Sequence, residues 1–81
     1  MRVSVSFYSY FKELTGCPRT EETLPAGTTL GDLLNLICAR FPKMGSMRKS
    51  MLVAVGVEYR DQNYVLSDGE EVALFPPVQG G

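Results

Sequence analysis

The strongest constraint on the fold is a single helical stripe in the middle of the chain. Its apolar residues recur at offsets of three, four, seven, eight and eleven, so they fall on one side of an α-helix. They are Leu30, Leu33, Leu34, Ile37, Cys38 and Phe41. Thr29 and Asp32 have the spacing of a capping box at its start, and Pro42 ends it. Since the rest of the chain has strand-like patterns, this stripe must cover a sheet.

The first of those strand-like segments alternates with a two-residue period. Residues 1–8 place Val3, Val5 and Phe7 on one side and Tyr8 on the other. The pattern predicts a half-buried strand with Tyr8 pointing away from the core.

The last strand shows the same alternation. In residues 70–75, Val72 and Leu74 share one side and Phe75 lies on the other, away from the core. Residues 51–57 are nearly all apolar and predict a central, buried strand.

These segments together predict an α+β fold of the β-grasp (ubiquitin-like) type. The expected architecture is a mixed sheet of four or five strands with one main helix packed on one face. The remaining predicted elements are a short helix at residues 9–15 capped by Gly16, a polar strand at residues 19–24, a bulge or close approach at Gly56 and a polar turn at residues 58–64. We expect one domain, residues 1–75, followed by an extended tail, residues 76–81.

Composition excludes several classes of function. The chain has 81 residues, a net charge of −1 and no histidine, which argues against nucleic acid as a partner and against a Cys-His or Ser-His site. Its two cysteines, Cys17 and Cys38, form no metal-binding motif. No run of about 18 apolar residues and no signal peptide is present, so we expect a cytoplasmic protein without membrane segments. Lys43, Arg48 and Lys49 form a basic loop, which is either a solvated surface or a docking patch for an acidic partner.

The tail carries the clearest functional signal. Pro76 and Pro77 cannot donate ladder hydrogen bonds and favour an extended backbone, so the chain should leave the sheet abruptly. Gly80 and Gly81 have no side chains and can enter a narrow channel of a partner. A carboxylate on Gly81 is ionised at neutral pH and must be activated before acyl transfer. The chain contains no ATP-binding motif, which implies a separate activating enzyme. The alternative is a frayed terminus without function.

Residues 68–81 resemble the C-terminal signature of the small subunit of molybdopterin synthase, within the MoaD/ThiS-like sulfur carriers. Residues 5–16 resemble the opening strand and helix of the same family. The resemblance spans nearly the whole chain, with the middle supported only by pattern.

The resemblance implies a sulfur carrier in molybdenum cofactor biosynthesis that is not catalytic alone and binds no cofactor itself. Gly81 would be adenylated by a ubiquitin-activating-like adenylyltransferase using ATP and Mg²⁺, and then converted to a thiocarboxylate. The tail would enter the active site of the large synthase subunit and give its sulfur to cyclic pyranopterin monophosphate. The inserted tail residues would be Pro76, Pro77, Val78, Gln79 and Gly80. The implied assembly is a heterotetramer of two small and two large subunits.

Three aromatic residues near the base of the tail are candidates for partner binding. Phe75 and Tyr8 lie on the parity that faces away from the helix, and Tyr59 follows the predicted central strand. Exposed aromatics at this place would form an apolar docking patch. The alternative is that some of them are ordinary core residues.

Other functions share the same fold and tail. A carrier for thiamine synthesis or tRNA thiolation would use the same Gly-Gly chemistry, and a ubiquitin-type modifier would join Gly81 to lysines of other proteins. An interaction module with an idle tail is a third class. No role is assigned to Cys17 or to the four basic residues Lys12, Lys43, Arg48 and Lys49.

Overall fold

A computed structural model describes residues 1–77 of the chain. Five strands form one mixed sheet, and one long helix packs across it. The elements are β1 Arg2–Phe7, α1 Phe11–Thr15, β2 Arg19–Thr23, α2 Leu30–Arg40, a 3₁₀ helix Pro42–Met47, β3 Leu52–Val55, β4 Glu58–Tyr59 and β5 Glu71–Phe75. The order across the sheet is β2-β1-β5-β3-β4, with β1 and β5 parallel and the other pairs antiparallel. This arrangement confirms the predicted β-grasp fold.

The long helix begins and ends where the sequence indicates. The Asp32 backbone N–H donates to Thr29 Oγ1 and the Thr29 N–H donates to Asp32 Oδ2, both at 3.2 Å, which completes the capping box. The helix stops at Arg40, two residues before Pro42. Gly16 ends α1 with a left-handed backbone, φ 78°, as predicted.

The core lies between α2 and one face of the sheet. The apolar side chains of β1 and β5 meet the helix stripe there, and all are buried: Val3, Val5, Phe7, Leu30, Leu33, Leu34, Ile37, Val72 and Leu74. Cys38 and Phe41 pack partly buried at its margin, and the Phe41 ring contacts Phe7 edge-on at 5.6 Å between centroids.

The second strand is joined to the helix by a charged pair. Glu22 is only 4% exposed, and its carboxylate accepts a hydrogen bond from Arg40 at the helix C-terminus. A cation in the last turn of a helix also interacts favourably with the helix dipole. This pair therefore fixes β2, which lies at one edge of the sheet, against α2.

The prediction for residues 51–57 was wrong in its bounds and its place. The strand covers only Leu52–Val55, and the middle of the sheet is β5 rather than β3. Gly56 adopts a left-handed backbone, φ 64°, in a turn that reverses the chain, so Val57 stands 99% exposed at its tip. The reversed chain then pairs as β4, inside the segment predicted to be a turn.

The predicted basic loop also has regular structure. Residues 42–47 form a 3₁₀ helix, and Met44 within it is fully buried in the core. An apolar anchor of this kind holds the segment against the domain and leaves Lys43 and Lys49 exposed.

Candidate functional site

The tail leaves the domain from the middle strand of the sheet. β5 is paired on one side with β1 and on the other with β3, and it ends at Phe75. Pro76 and Pro77 follow it half-buried and outside any regular element, as the loss of two backbone donors dictates. The predicted functional residues Val78, Gln79, Gly80 and Gly81 lie outside the described residues.

Tyr8 lies beside the point where the tail leaves. Because β1 and β5 are parallel, their C-terminal ends meet at the same end of the sheet, and the Tyr8 N–H donates to the Leu74 carbonyl at 3.1 Å. The Tyr8 carbonyl accepts from the Phe11 N–H at 3.1 Å, and Ser9 between them has a left-handed backbone, φ 55°. These constraints hold Tyr8 on the outer face.

Tyr8 and Phe75 form a stacked pair. Their ring centroids are 4.7 Å apart and the ring planes differ by 14°. Tyr8 is 46% exposed and Phe75 is half-buried. An offset pair of this geometry contributes about 0.5–1.5 kcal/mol beyond its buried area. The two predicted partner-binding residues are therefore brought together as one preformed surface on the side away from the helix.

The third predicted aromatic lies on the same face of the sheet. Tyr59 pairs with Ala54 across β4 and β3, and Ala54 pairs with Ala73 of β5. Side chains directly opposite one another in antiparallel strands point to the same face, so Tyr59 shares the face of Phe75. Tyr59 is 70% exposed, which excludes the alternative that it is a core residue.

Leu52 completes this face and was missed in the sequence. It pairs directly with Phe75 and is half-buried, on the side opposite Val53 and the core. The even positions of residues 51–57 carried the signal, but a run that is apolar throughout hides which side faces outwards. We name Tyr8, Leu52, Tyr59 and Phe75 the aromatic face.

Two titratable groups have shifted pKa values, and both lie away from the aromatic face. Burial raises the pKa of the Cys38 thiol, and the nearby positive charge of Arg48 opposes the rise. A hydrogen bond from the Tyr64 hydroxyl to Glu70 Oε2, 2.6 Å, raises the pKa of Tyr64. The same carboxylate accepts from the Ser67 N–H at 2.6 Å, so Glu70 ties the turn that precedes β5.

Metal and membrane chemistry have no visible counterpart in residues 1–77. No group of three or more His, Cys, Asp or Glu side chains is placed to hold a metal ion in this part of the chain. None of the described helices has the length and apolar character needed to span a bilayer.

Comparison with known proteins places this geometry in a family. The ThiS family model matches residues 5–81. The molybdopterin synthase sulfur carrier subunit of Chlamydomonas reinhardtii is 35% identical over 83 aligned positions, which cover all of both chains. The corresponding subunit of Aedes aegypti is 33% identical over 89 positions, covering all of this chain and 90% of that protein.

Solved structures agree with the fold. A protein from Pyrococcus furiosus, described as subunit 1 of a molybdopterin converting factor, is 29% identical with a TM-score of 0.88, and the match covers 96% of this chain and 99% of that one. The complex of subunits 1 and 2 of the Helicobacter pylori molybdopterin-converting factor matches with 26% identity and a TM-score of 0.73 over all of both chains. The small archaeal modifier SAMP1 of Haloferax volcanii, 23% identical with a TM-score of 0.87 over all of both chains, shares the fold. The family match over residues 5–81, on a domain of this topology, shows that the chain belongs to the ThiS family.

Proposed function

We propose that this chain is the sulfur carrier subunit of a molybdopterin synthase. The observation that carries the proposal is the full-length similarity to proteins named as that subunit, at 35% identity in Chlamydomonas reinhardtii. The similarity to subunit 1 in a complex with subunit 2 in Helicobacter pylori supports a large-subunit partner. Sulfur carriers of other pathways share the fold, so the relatives decide between molybdopterin and thiamine or tRNA thiolation.

In the proposed reaction, the reacting group is the Gly81 carboxylate. One of its oxygens attacks the α-phosphorus of ATP on an adenylyltransferase, and pyrophosphate leaves with Mg²⁺ bound to the nucleotide. A sulfur nucleophile then displaces AMP from the acyl carbon and forms the thiocarboxylate. The tail, residues 76–81, carries this group into the large subunit, where the sulfur is transferred to cyclic pyranopterin monophosphate.

The domain's own contribution is positioning. The aromatic face lies at the base of the tail and offers an apolar docking surface for the large subunit. Docking fixes where the tail starts, and this makes entry of the terminal group into the partner's site effectively intramolecular. The proposed place of action is the cytoplasm, where ATP is available and the free thiols Cys17 and Cys38 stay reduced.

The first test is the intact mass of the purified chain after incubation with the adenylyltransferase, ATP, Mg²⁺ and a sulfur donor. We expect a gain equal to the replacement of one oxygen atom by sulfur. Deleting Gly81 should abolish the gain without changing the thermal unfolding midpoint. Mixing the loaded carrier with the large subunit and cyclic pyranopterin monophosphate should return the mass to its original value.

Other outcomes would assign another function. A thiocarboxylate that forms but is not consumed by the large subunit would favour a carrier for thiamine synthesis or tRNA thiolation. Higher-mass conjugates in cell extract that disappear on deletion of Gly81 would favour a protein modifier. No mass gain, with an adenylyltransferase shown to act on another carrier, would contradict the sulfur-carrier proposal itself.

A further inference from the structure

A basic pocket lies next to the aromatic face. It has a volume of about 430 Å³ and opens between α2, β3 and the residues that follow β4. Its floor is apolar and consists of Leu30, Leu34, Met51 and Val53. All four of these side chains are buried, so the floor is part of the packed domain rather than a loop surface.

The rim of the pocket concentrates positive charge. Three of the eight basic residues line it, Arg48, Lys49 and Arg60, but only one of the nine acidic residues, Asp61. Asp61 Oδ1 accepts from the Asn63 backbone N–H at 2.8 Å and so is engaged within its own turn. The chain as a whole has a net charge of −1, which makes this local excess of cations a departure from the rest of the surface.

Arg48 is fixed in place by neutral groups. Its Nε donates to Asn35 Oδ1 at 3.2 Å, and its Nη2 donates to the Gly31 carbonyl at 3.4 Å and to Gln62 Oε1 at 3.5 Å. Within residues 1–77 no carboxylate forms an ion pair with Arg48 or Lys49, whereas Arg60 pairs with Glu58 at 2.8 Å. Two positive charges at the pocket therefore keep their capacity to bind an external anion, and one of them is already oriented.

The pocket continues into the aromatic face. Leu52 and Tyr59 line the pocket and also belong to that face. A protein that covers Tyr8 and Phe75 and extends across the sheet therefore reaches the pocket at the β4 edge. An acidic side chain next to an apolar one would match the cationic rim and the apolar floor.

We propose that this pocket binds an acidic segment of the large synthase subunit, with a carboxylate between Lys49 and Arg48 and an apolar side chain on the floor. The inference rests on the proposed function, because it names that function's partner. It adds a second anchor at the far side of the aromatic face from the point where the tail leaves. Two separated contacts fix the rotation of the carrier on its partner, which a single apolar patch leaves free.

The test measures binding of the purified large subunit to the full-length carrier and to two charge reversals. Lys49→Glu places a negative charge at the pocket. Lys43→Glu makes the same change on an exposed residue of the neighbouring 3₁₀ helix, outside the pocket lining. We expect Lys49→Glu to raise Kd about tenfold at low salt, with the difference shrinking at high salt because ions screen it. Lys43→Glu should change Kd less than about twofold.

A footprint of the lysines gives an independent readout. Acylation of the carrier with an amine-reactive ester, followed by peptide mass analysis, should label Lys43 equally in the free carrier and in the complex. Lys49 should be protected in the complex only. This readout does not depend on a substitution, so a fold disturbed by charge reversal cannot imitate it.

The failures are distinguishable. If the wild-type carrier does not bind the large subunit, the proposed function and this inference fall together. If it binds but Lys49→Glu and Lys43→Glu behave alike and Lys49 stays reactive, only the pocket inference is overturned. Protection of Lys49 that grows with carrier concentration, without the large subunit, would assign the pocket to a second copy of this chain and also overturn it.

Discussion

Replacing Phe75 by alanine should separate the stability of the fold from the binding of its partner. Phe75 lies on the outer face, half-buried, and stacks on Tyr8 at 4.7 Å. Burying half of a phenylalanine side chain contributes about 1–1.5 kcal/mol, and the stacked pair adds about 0.5–1.5 kcal/mol. The expected loss in the free energy of unfolding is therefore about 1.5–3 kcal/mol. By the per-residue rule an 81-residue domain has about 4–12 kcal/mol, so Phe75→Ala should remain folded.

A phenylalanine in the core gives the contrast. Phe7 is fully buried between the sheet and α2, and Phe7→Ala should cost about 3–5 kcal/mol, because it leaves a cavity. If the parity of β5 were reversed, Phe75→Ala would behave like Phe7→Ala. Unfolding in urea, followed by circular dichroism, measures both losses on the same scale.

Binding should respond to Phe75→Ala more strongly than folding. An aromatic anchor at the centre of a docking surface contributes at least about 2 kcal/mol, which corresponds to a rise of about 30-fold in Kd for the large subunit. Calorimetric titration with the purified large subunit measures this Kd. Leu36→Ala is the matched control, because Leu36 is also an exposed apolar residue but lies on α2, across the sheet from the aromatic face. It should leave Kd unchanged.

Two results would refute the docking argument. One is an unchanged Kd for a folded Phe75→Ala variant, and the other is an equal loss of affinity in Leu36→Ala. Should Phe75→Ala fail to fold, Phe75→Leu keeps most of the apolar volume, loses the stacking on Tyr8 and tests the same surface.

Two further predictions concern packing and a thiol. In Gly31→Ala the added Cβ would stand 3.1 Å from Gln62 Cβ and 3.2 Å from the Gln62 carbonyl oxygen, which accepts from the Gly31 N–H at 2.9 Å, so we expect a loss of about 1 kcal/mol in urea unfolding; Gly45→Ala, with open space around the same atom, should lose nothing of this kind, and equal stabilities would contradict the close approach. Because burial raises the pKa of Cys38, its alkylation by iodoacetamide in a Cys17→Ser background should reach half-maximal rate at a pH above the ordinary thiol value of about 8.5. A midpoint at or below that value would mean that the positive charge of Arg48 dominates over burial.

The sequence predicted those parts of the fold whose patterns have a period. The alternation in β1 and β5 gave the correct face for each residue, and the capping box gave the start of α2. The run from residue 51 to residue 57 has no period, because every position is apolar or glycine, so neither its end nor its outward side could be determined. Its end depends on the left-handed backbone of Gly56, and β4 exists only because the reversed chain pairs with β3. The position of β5 in the middle of the sheet depends on pairing between distant segments and has no local signature.

The candidate site was predictable to the same extent. Tyr8 and Phe75 follow from parity alone, whereas their stacking follows from the parallel pairing of β1 with β5. Tyr59 was placed correctly on the outer face although the strand before it was misjudged, since β4 restores the alternation across the sheet. Leu52 was missed, and the basic pocket could not be foreseen, because Arg48 and Arg60 are brought together only by the packing of α2 on the residues after β4.

The position of the tail on β5 explains how a partner can hold it without disturbing the domain. A strand at the edge of the sheet is held by one row of hydrogen bonds, whereas β5 is held by β1 on one side and β3 on the other. Pro76 ends that pairing at a defined residue because it has no N–H to donate. Tension on the tail therefore acts on a strand fixed along both sides, and Phe75, the last paired residue, stays stacked on Tyr8. The chain needs no channel or catalytic group of its own, since its structure serves to present residues 76–81 at a fixed distance from a docking surface.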